Sequence, residues 1–239
     1  MEHLRGKSAI ITGSTRGIGR AIAEALAAEG CNVVVSSRHE DAAVAAAEEI
    51  SARGHGQAIG VACDVRSNSD CERLVRETVK RFGRIDLLVN NAGIGGFEPV
   101  ATMSVDHWNA VIGTNLNSLF YCTHAALPHL KNAGTAWVIN IGSLAGKNAF
   151  AGASAYNASK FGLIGFSEAL MQEVRHDGIR VSYIMPGSVA TEFDGSWPRG
   201  GDWMIQPEDI GRIVLDLLAM PARTLPSRVE VRPSAPPKK

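Results

Sequence analysis

Tyr156 and Lys160 stand four residues apart in Tyr156-Asn157-Ala158-Ser159-Lys160. On a helix that spacing puts both side chains on one face, one turn apart, so an ammonium lies beside a phenol. A free phenol titrates near pH ~10, and proton transfer at neutral pH requires a positive neighbour that favours phenolate. Lys160 is such a neighbour. Ser143 follows the apolar run Ala136-Trp137-Val138-Ile139-Asn140-Ile141, which reads as a strand, so its hydroxyl is delivered at a strand's carboxyl end, where open α/β sheets bind ligands.

The elements that must carry these groups alternate along the chain. Ser8-Ala9-Ile10-Ile11 reads as a first strand. It runs into Thr12-Gly13-Ser14-Thr15-Arg16-Gly17-Ile18-Gly19, and an alanine-rich helix follows over Ala21–Glu29. Gly13, Gly17 and Gly19 lack the Cβ atoms that would keep backbone N–H groups off a pyrophosphate, and the helix N-terminus adds its positive dipole end. A second strand over Asn32–Ser36 ends in Ser37-Arg38. An acidic residue there would bind a ribose 2′-hydroxyl. None stands before Glu40, whereas Arg38, joined by Arg16, suits a 2′-phosphate and hence NADP(H).

Further helices are predicted over Asp41–Arg53, from a Ser69/Glu72 capping box to Phe82, from a Ser104 cap through Phe120, around Tyr156, and from Pro207. Strands are predicted over Gln57–Ala62, Leu87–Val89, Ala136–Ile141, Arg180–Met185 and Arg228–Val231. The pattern implies a Rossmann-type α/β fold, a doubly wound parallel sheet of about seven strands with helices on both faces. In the helix after Ser104, Trp108, Val111, Ile112, Leu116, Leu119 and Phe120 keep helical spacing and read mostly as core. Asn115 is the exception, because an amide among apolar neighbours needs partners that a helix distortion or a bound water would supply.

Thr12-Gly13-x3-Gly17-Ile18-Gly19, Asn90-Asn91-Ala92-Gly93, Asn115, Ser143, Tyr156-x3-Lys160 and Pro186-Gly187 together resemble the short-chain dehydrogenase/reductase family over about residues 7 to 220. The resemblance implies that Tyr156 is the general acid/base and that Lys160 lowers its pKa while bonding the nicotinamide ribose. It also implies that Ser143 polarises the substrate oxygen and that Asn115 holds the water of a proton relay. By the same resemblance Asp64 and Val65 hold the adenine, Asn91 and Gly93 line the ribose side, and Val189 and Thr191 contact the carboxamide. The implied reaction interconverts a small-molecule carbonyl and a secondary alcohol by hydride transfer, with NADP(H) as cofactor and a homodimer or homotetramer as the assembly. A 3-oxoacyl reductase acting on acyl-carrier-protein or CoA thioesters is the alternative. Gly134 and Asp177 stand where carrier-protein reductases of the family resemble one another in basic residues, and the ending Leu225-Pro226-Ser227-Arg228-Val229-Glu230-Val231 looks more like reductases of small hydroxy acids and carbonyl compounds. A non-catalytic NADP(H) sensor is the reading from another class.

Composition sets outer limits. The chain has 239 residues, 45% of them hydrophobic, enough for one core, and a single domain is expected over residues 1–232. Its 24 basic and 24 acidic residues cancel, which argues against nucleic acid or an anionic membrane surface as partner. Cys31, Cys63, Cys71 and Cys122 have no metal-ligand or redox spacing, so no metal is expected and the thiols read as reduced and buried. No apolar run approaches the ~18 residues of a membrane span, and cytoplasmic residence is expected. Phe193, Trp197 and Trp203 lie among Gly195, Gly200 and Gly201, so residues 192–206 read as a substrate lid. The proline-rich tail 233–239 reads as disordered.

Overall fold

The computed structural model describes residues 1–193 and 201–237. Seven parallel strands form one sheet in the order β3-β2-β1-β4-β5-β6-β7. They are β1 (Ser8–Ile11), β2 (Asn32–Ser37), β3 (Ala58–Ala62), β4 (Leu87–Asn90), β5 (Ala136–Ile141), β6 (Ile179–Pro186) and β7 (Arg228–Val231). The helices are α1 (Gly17–Ala28), α2 (Glu40–Arg53), α3 (Asn68–Phe82), α4 (Val105–Ile112), α5 (Ser118–Asn132), α6 (Ser154–Val174) and α7 (Pro207–Leu218).

The central strands are largely apolar because both faces are covered, and the period of two sorts their side chains between two cores; edge strand β7 keeps Arg228 and Glu230 exposed. Ala9, Ile11, Val33, Val35, Leu87, Val89 and Ile139 pack with α1, α2 and α7 on one face. Ile10, Val34, Leu88, Val138 and Val181 pack with α3, α5 and α6 on the other. Between β1 and β4 the strand order reverses direction, which opens a crevice at the carboxyl ends of the strands.

Several expectations need correcting. Helix α1 begins at Gly17, four residues ahead of the alanine run, so Gly19 lies in its first turn. The cap of α3 is Ser67, whose Oγ accepts from Asp70 N at 3.3 Å, and not Ser69. The helix predicted from Ser104 is interrupted, since a five-residue π turn, Gly113–Asn117, joins α4 to α5. A helical face does not keep its phase across such a turn, and Trp108 and Phe120, expected in the core, are 39% and 52% exposed. All four cysteines are free and buried, as expected. Their spacing gave no sign that Cys122 Sγ would lie 3.4 Å from Cys71 Sγ. Of the expected lid, Trp197, Gly195 and Gly200 lie outside the described residues. Trp203 sits half-buried in a 3₁₀ turn, Gly201–Trp203, and Ile205 belongs to the core.

Candidate active site

A cleft of about 1150 Å³ runs along the carboxyl edge of the sheet. Its floor is the meeting of the loops after β1 and β4. Gly13 has φ +62°, and a Cβ there would lie 2.9 Å from Ala92 Cα; a Cβ on Gly19 would lie 2.3 Å from Asn91 Nδ2. Both glycines are therefore required by chain against chain, besides whatever the loop binds. Asn91 Nδ2 donates to Thr12 O and Gly13 O, each at 2.9 Å, so the Asn91 side chain fastens the glycine loop. Thr12 Oγ1 accepts from Asn91 N and Ala92 N at 3.0 Å. Ser14 Oγ donates to Ile11 O at 2.6 Å and accepts from Ser36 N, tying the loop to β2.

One end of the cleft is cationic. Gly13, Arg16, Gly17, Ile18, Arg38, Asp64, Val65 and Gly93 all line the cleft, whereas Ser14 and Gly19, expected with them, do not. Arg16 is already paired, its Nη1 lying 2.9 Å from Glu192 Oε2. Arg38 is exposed and makes no ion pair among the described residues. Asp64 is gripped by Arg66, whose Nε donates at 3.0 Å to Oδ1. That hydrogen bond is the main reason the Asp64 carboxyl sits below its ordinary value, with Arg38 adding to the effect.

The other end holds Ser143, Tyr156 and Lys160. Ser143 caps a 3₁₀ turn (Leu144–Gly146) by accepting from Ala145 N at 3.1 Å, which leaves its own proton to be donated into the cleft. Tyr156 and Lys160 lie on α6, and Lys160 Nζ stands 5.8 Å from the centre of the Tyr156 ring. Nζ donates to Ile141 O at 3.0 Å, leaving two of its protons free. Burial pulls Lys160 down to about 8. Burial also holds the Tyr156 phenol above its ordinary value, with the Ser143 hydroxyl opposing it. Loss of solvent around the phenol thus outweighs the Ser143 hydrogen bond.

Asn115 falls inside the π turn, so the distortion expected around it is present. Its Oδ1 accepts from Ile94 N at 2.8 Å, and its Nδ2 donates to Ile94 O at 2.9 Å and to Ser159 Oγ at 3.1 Å. Its side chain thus locks the loop after β4 to α6. Pro186, Gly187, Val189 and Thr191 line the cleft after β6, and the segment is held down by Ala190 N donating to Ile205 O at 2.9 Å.

Four contributors escaped the sequence reading. Arg66 is one. Asn157 is another, because its Nδ2 donates to Ala145 O at 2.6 Å and pins the turn after Ser143 to α6. Phe97 and Phe150 complete the set, Phe97 packing edge-on against Tyr156 and Phe150 against Phe97 from another loop. Asn157 had a signal, a polar residue on a helix face that must be buried beside Tyr156; the two phenylalanines had none, since no periodicity governs loops. Among the described residues, no group of three or more His, Cys, Asp or Glu side chains could hold a metal ion, and no helix is long and apolar enough to cross a membrane.

Residues 7–200 match the family model of the short chain dehydrogenases. The chain is 39% identical over 193 residues to a 3-oxoacyl-[acyl-carrier-protein] reductase of Synechocystis sp., covering 80% of this chain and 78% of the relative. It is also 39% identical over 189 residues to a D-beta-hydroxybutyrate dehydrogenase of Cupriavidus necator, covering 79% of this chain and 72% of that one. Among solved structures, a metagenomic short-chain oxidoreductase in complex with NADP superposes with a TM-score of 0.85 at 37% identity, over 98% of this chain and 99% of the other. The strand order, the glycine loop packed on Ala92, and the convergence of Ser143, Tyr156 and Lys160 accord with these matches, and the chain belongs to the short-chain dehydrogenase/reductase family of oxidoreductases.

Proposed function

We propose that this chain is an NADP(H)-dependent oxidoreductase that interconverts a carbonyl and a secondary alcohol, with Tyr156 as the acid/base. The observation that carries this reading is one cleft with Ser143, Tyr156 and Lys160 at one end and, at the other, Arg38, which has no ion pair among the described residues. The residues present fit a dinucleotide phosphate. The loop at Gly13 and Gly17 presents backbone without side chains at the start of α1, and Arg38 offers a bidentate fork to a 2′-phosphate. The NADP-bound structural relative supports the same cofactor.

When bound, the nicotinamide supplies the hydride. The rest is the work of the chain. Ser143 and Tyr156 aim two hydroxyl donors at the substrate oxygen, stabilising negative charge where it develops, and Tyr156 gives up its proton to that oxygen. Lys160, anchored on Ile141 O, directs its remaining protons toward a ribose hydroxyl and toward the phenol. Asn115 serves the relay by position, its π turn freeing backbone from the regular ladder beside Lys160.

NADPH consumption with a panel of ketones and 3-oxoacyl thioesters tests the reading. Turnover of any ketone supports it, and binding of NADPH without turnover of any carbonyl overturns it. Preference for 3-oxoacyl thioesters would move the chain to the second reading, favoured by its likeness to the Synechocystis reductase. Cytoplasmic residence and assembly into a homodimer or homotetramer belong to the proposal. Exposed Phe120 on α5 and Phe161 on α6 support a pairing of these helices.

A further inference from the structure

Two phenylalanines meet the catalytic phenol from separate loops, and a third extends the group from behind one of them. Phe97 meets Tyr156 edge-on with ring centres 5.3 Å apart, Phe193 does so at 5.9 Å, and Phe150 lies 5.8 Å from Phe97. Gly95 lies between Phe97 and Phe193, and a Cβ there would stand 3.3 Å from one ring and 3.5 Å from the other. The three rings remain 50%, 42% and 52% exposed for Phe97, Phe193 and Phe150. An aromatic surface of this extent, open on one side and ending at two hydroxyl donors, is built to be covered by a ligand.

The charges nearby are all engaged elsewhere. Leu144 and Met204 extend the apolar wall. Among the described residues lining this end, the only cation is Lys160, which is tied to Ile141 O and lies behind Tyr156. Arg16 is paired with Glu192, and Arg38 and Arg66 belong to the far end beside Asp64. A substrate carboxylate placed among the rings would lose its water and gain no counter-charge from the described residues, whereas a neutral ketone has one polar atom and finds two donors for it.

On the reading given under Proposed function, we infer that the substrate is a neutral ketone, or the matching alcohol, carrying an aryl or bulky alkyl group, seated among Phe97, Phe150 and Phe193 against Tyr156. In the reductive direction the ketone carbon gains a hydride and its two electrons, the oxygen gains the Tyr156 proton, and NADPH is left as NADP⁺.

Methyl acetoacetate and acetoacetate make the decisive pair, because they share a reacting carbonyl and differ in one charge. With NADPH, kcat/KM for methyl acetoacetate is expected to exceed that for acetoacetate by at least about tenfold, and acetophenone to exceed both. Calorimetry on the NADP⁺-loaded protein, where no ketone can be reduced, should give the same order of Kd. Phe97→Ala should weaken acetophenone binding about tenfold, and Phe150→Lys should narrow the ratio between ester and acid; circular dichroism checks that both variants fold. Equal or better use of acetoacetate, or a thioester preferred over every neutral ketone, overturns this inference and leaves the oxidoreductase reading intact. Loss of all ketone turnover with NADPH still bound overturns both.

Discussion

The two ends of the cleft are built on opposite principles. At the glycine loop, backbone is bared by Gly13 and Gly17, and arginines collect: Arg38 without an ion pair among the described residues, Arg66 on Asp64, Arg16 on Glu192. At Tyr156, rings crowd the phenol, and the one cation among the described residues there is buried behind it. One end selects by charge in a solvated setting, where a guanidinium is inexpensive to maintain. The other selects by excluding water, and that exclusion moves both titrating groups toward their neutral forms. Hence changes at the two ends should separate cleanly, cofactor choice at one and chemistry at the other.

The largest expected break is Tyr156→Phe, which removes the transferable proton and keeps the ring among its aromatic neighbours. Turnover should fall by roughly 10²-fold or more while the Kd for NADPH stays nearly constant, and stopped-flow or steady-state assays beside fluorescence titration would check both. Residual turnover near the wild-type value would remove Tyr156 from its role. At the opposite end, Arg38→Ala should weaken NADPH by about 10- to 150-fold, equivalent to roughly 1.5–3 kcal/mol, and leave NADH almost unaffected. Equal weakening of the two cofactors would show that Arg38 does not read the 2′-phosphate.

A pH profile sharpens the contrast further. Lys160 is lowered to about 8, so its charged form prevails below that pH and is lost above it. Reductive kcat/KM should accordingly decline above pH 8, approaching about tenfold per unit. Stability should move the other way. The unfolded chain keeps this proton up to the ordinary value of 10.5, so between about 8 and 10.5 it binds more protons than the folded chain, and folding gains stability as pH rises. Urea unfolding of wild type against Lys160→Met across that window would show the difference, and parallel curves would contradict it. The smallest effect is expected from Trp203→Phe. If the segment around Trp203 closes over substrate, KM should change with little loss of thermal stability, whereas a lowered melting temperature with unchanged kinetics would make it an ordinary packing residue.

Much of this arrangement was legible in the sequence, for reasons that differ by region. Strands such as Val33-Val34-Val35 and Ala136–Ile141 are apolar on both faces, which leaves few other places for them, and glycine after β1 marks a close approach. Ser143 could be placed because it directly follows a strand, and Tyr156 with Lys160 because a helix fixes their spacing. Pairing is another matter. Glu192 reaches Arg16 across 176 positions, and Phe97 and Phe150 meet from two loops, contacts that follow from tertiary closure and leave no local trace. Trp108 and Phe120 show a third kind of failure, where a correct local period was extended through a turn that does not obey it.

That turn also makes the chain sensitive to counting. A π turn holds one residue more than an α turn would, so Gly113–Asn117 behaves like an insertion retained inside a helix. Removing a single residue, Thr114 for instance, would close the bulge and let the helix run on regularly, with α4 and α5 still facing as they do now. Asn115 would then lose the widened turn that presents it to Ile94 and Ser159, and the loop after β4 would lose its tether to α6. A substitution at the same position changes one side chain, whereas the deletion removes the irregular turn itself. In this segment, the length of the chain is itself part of the active site's specification.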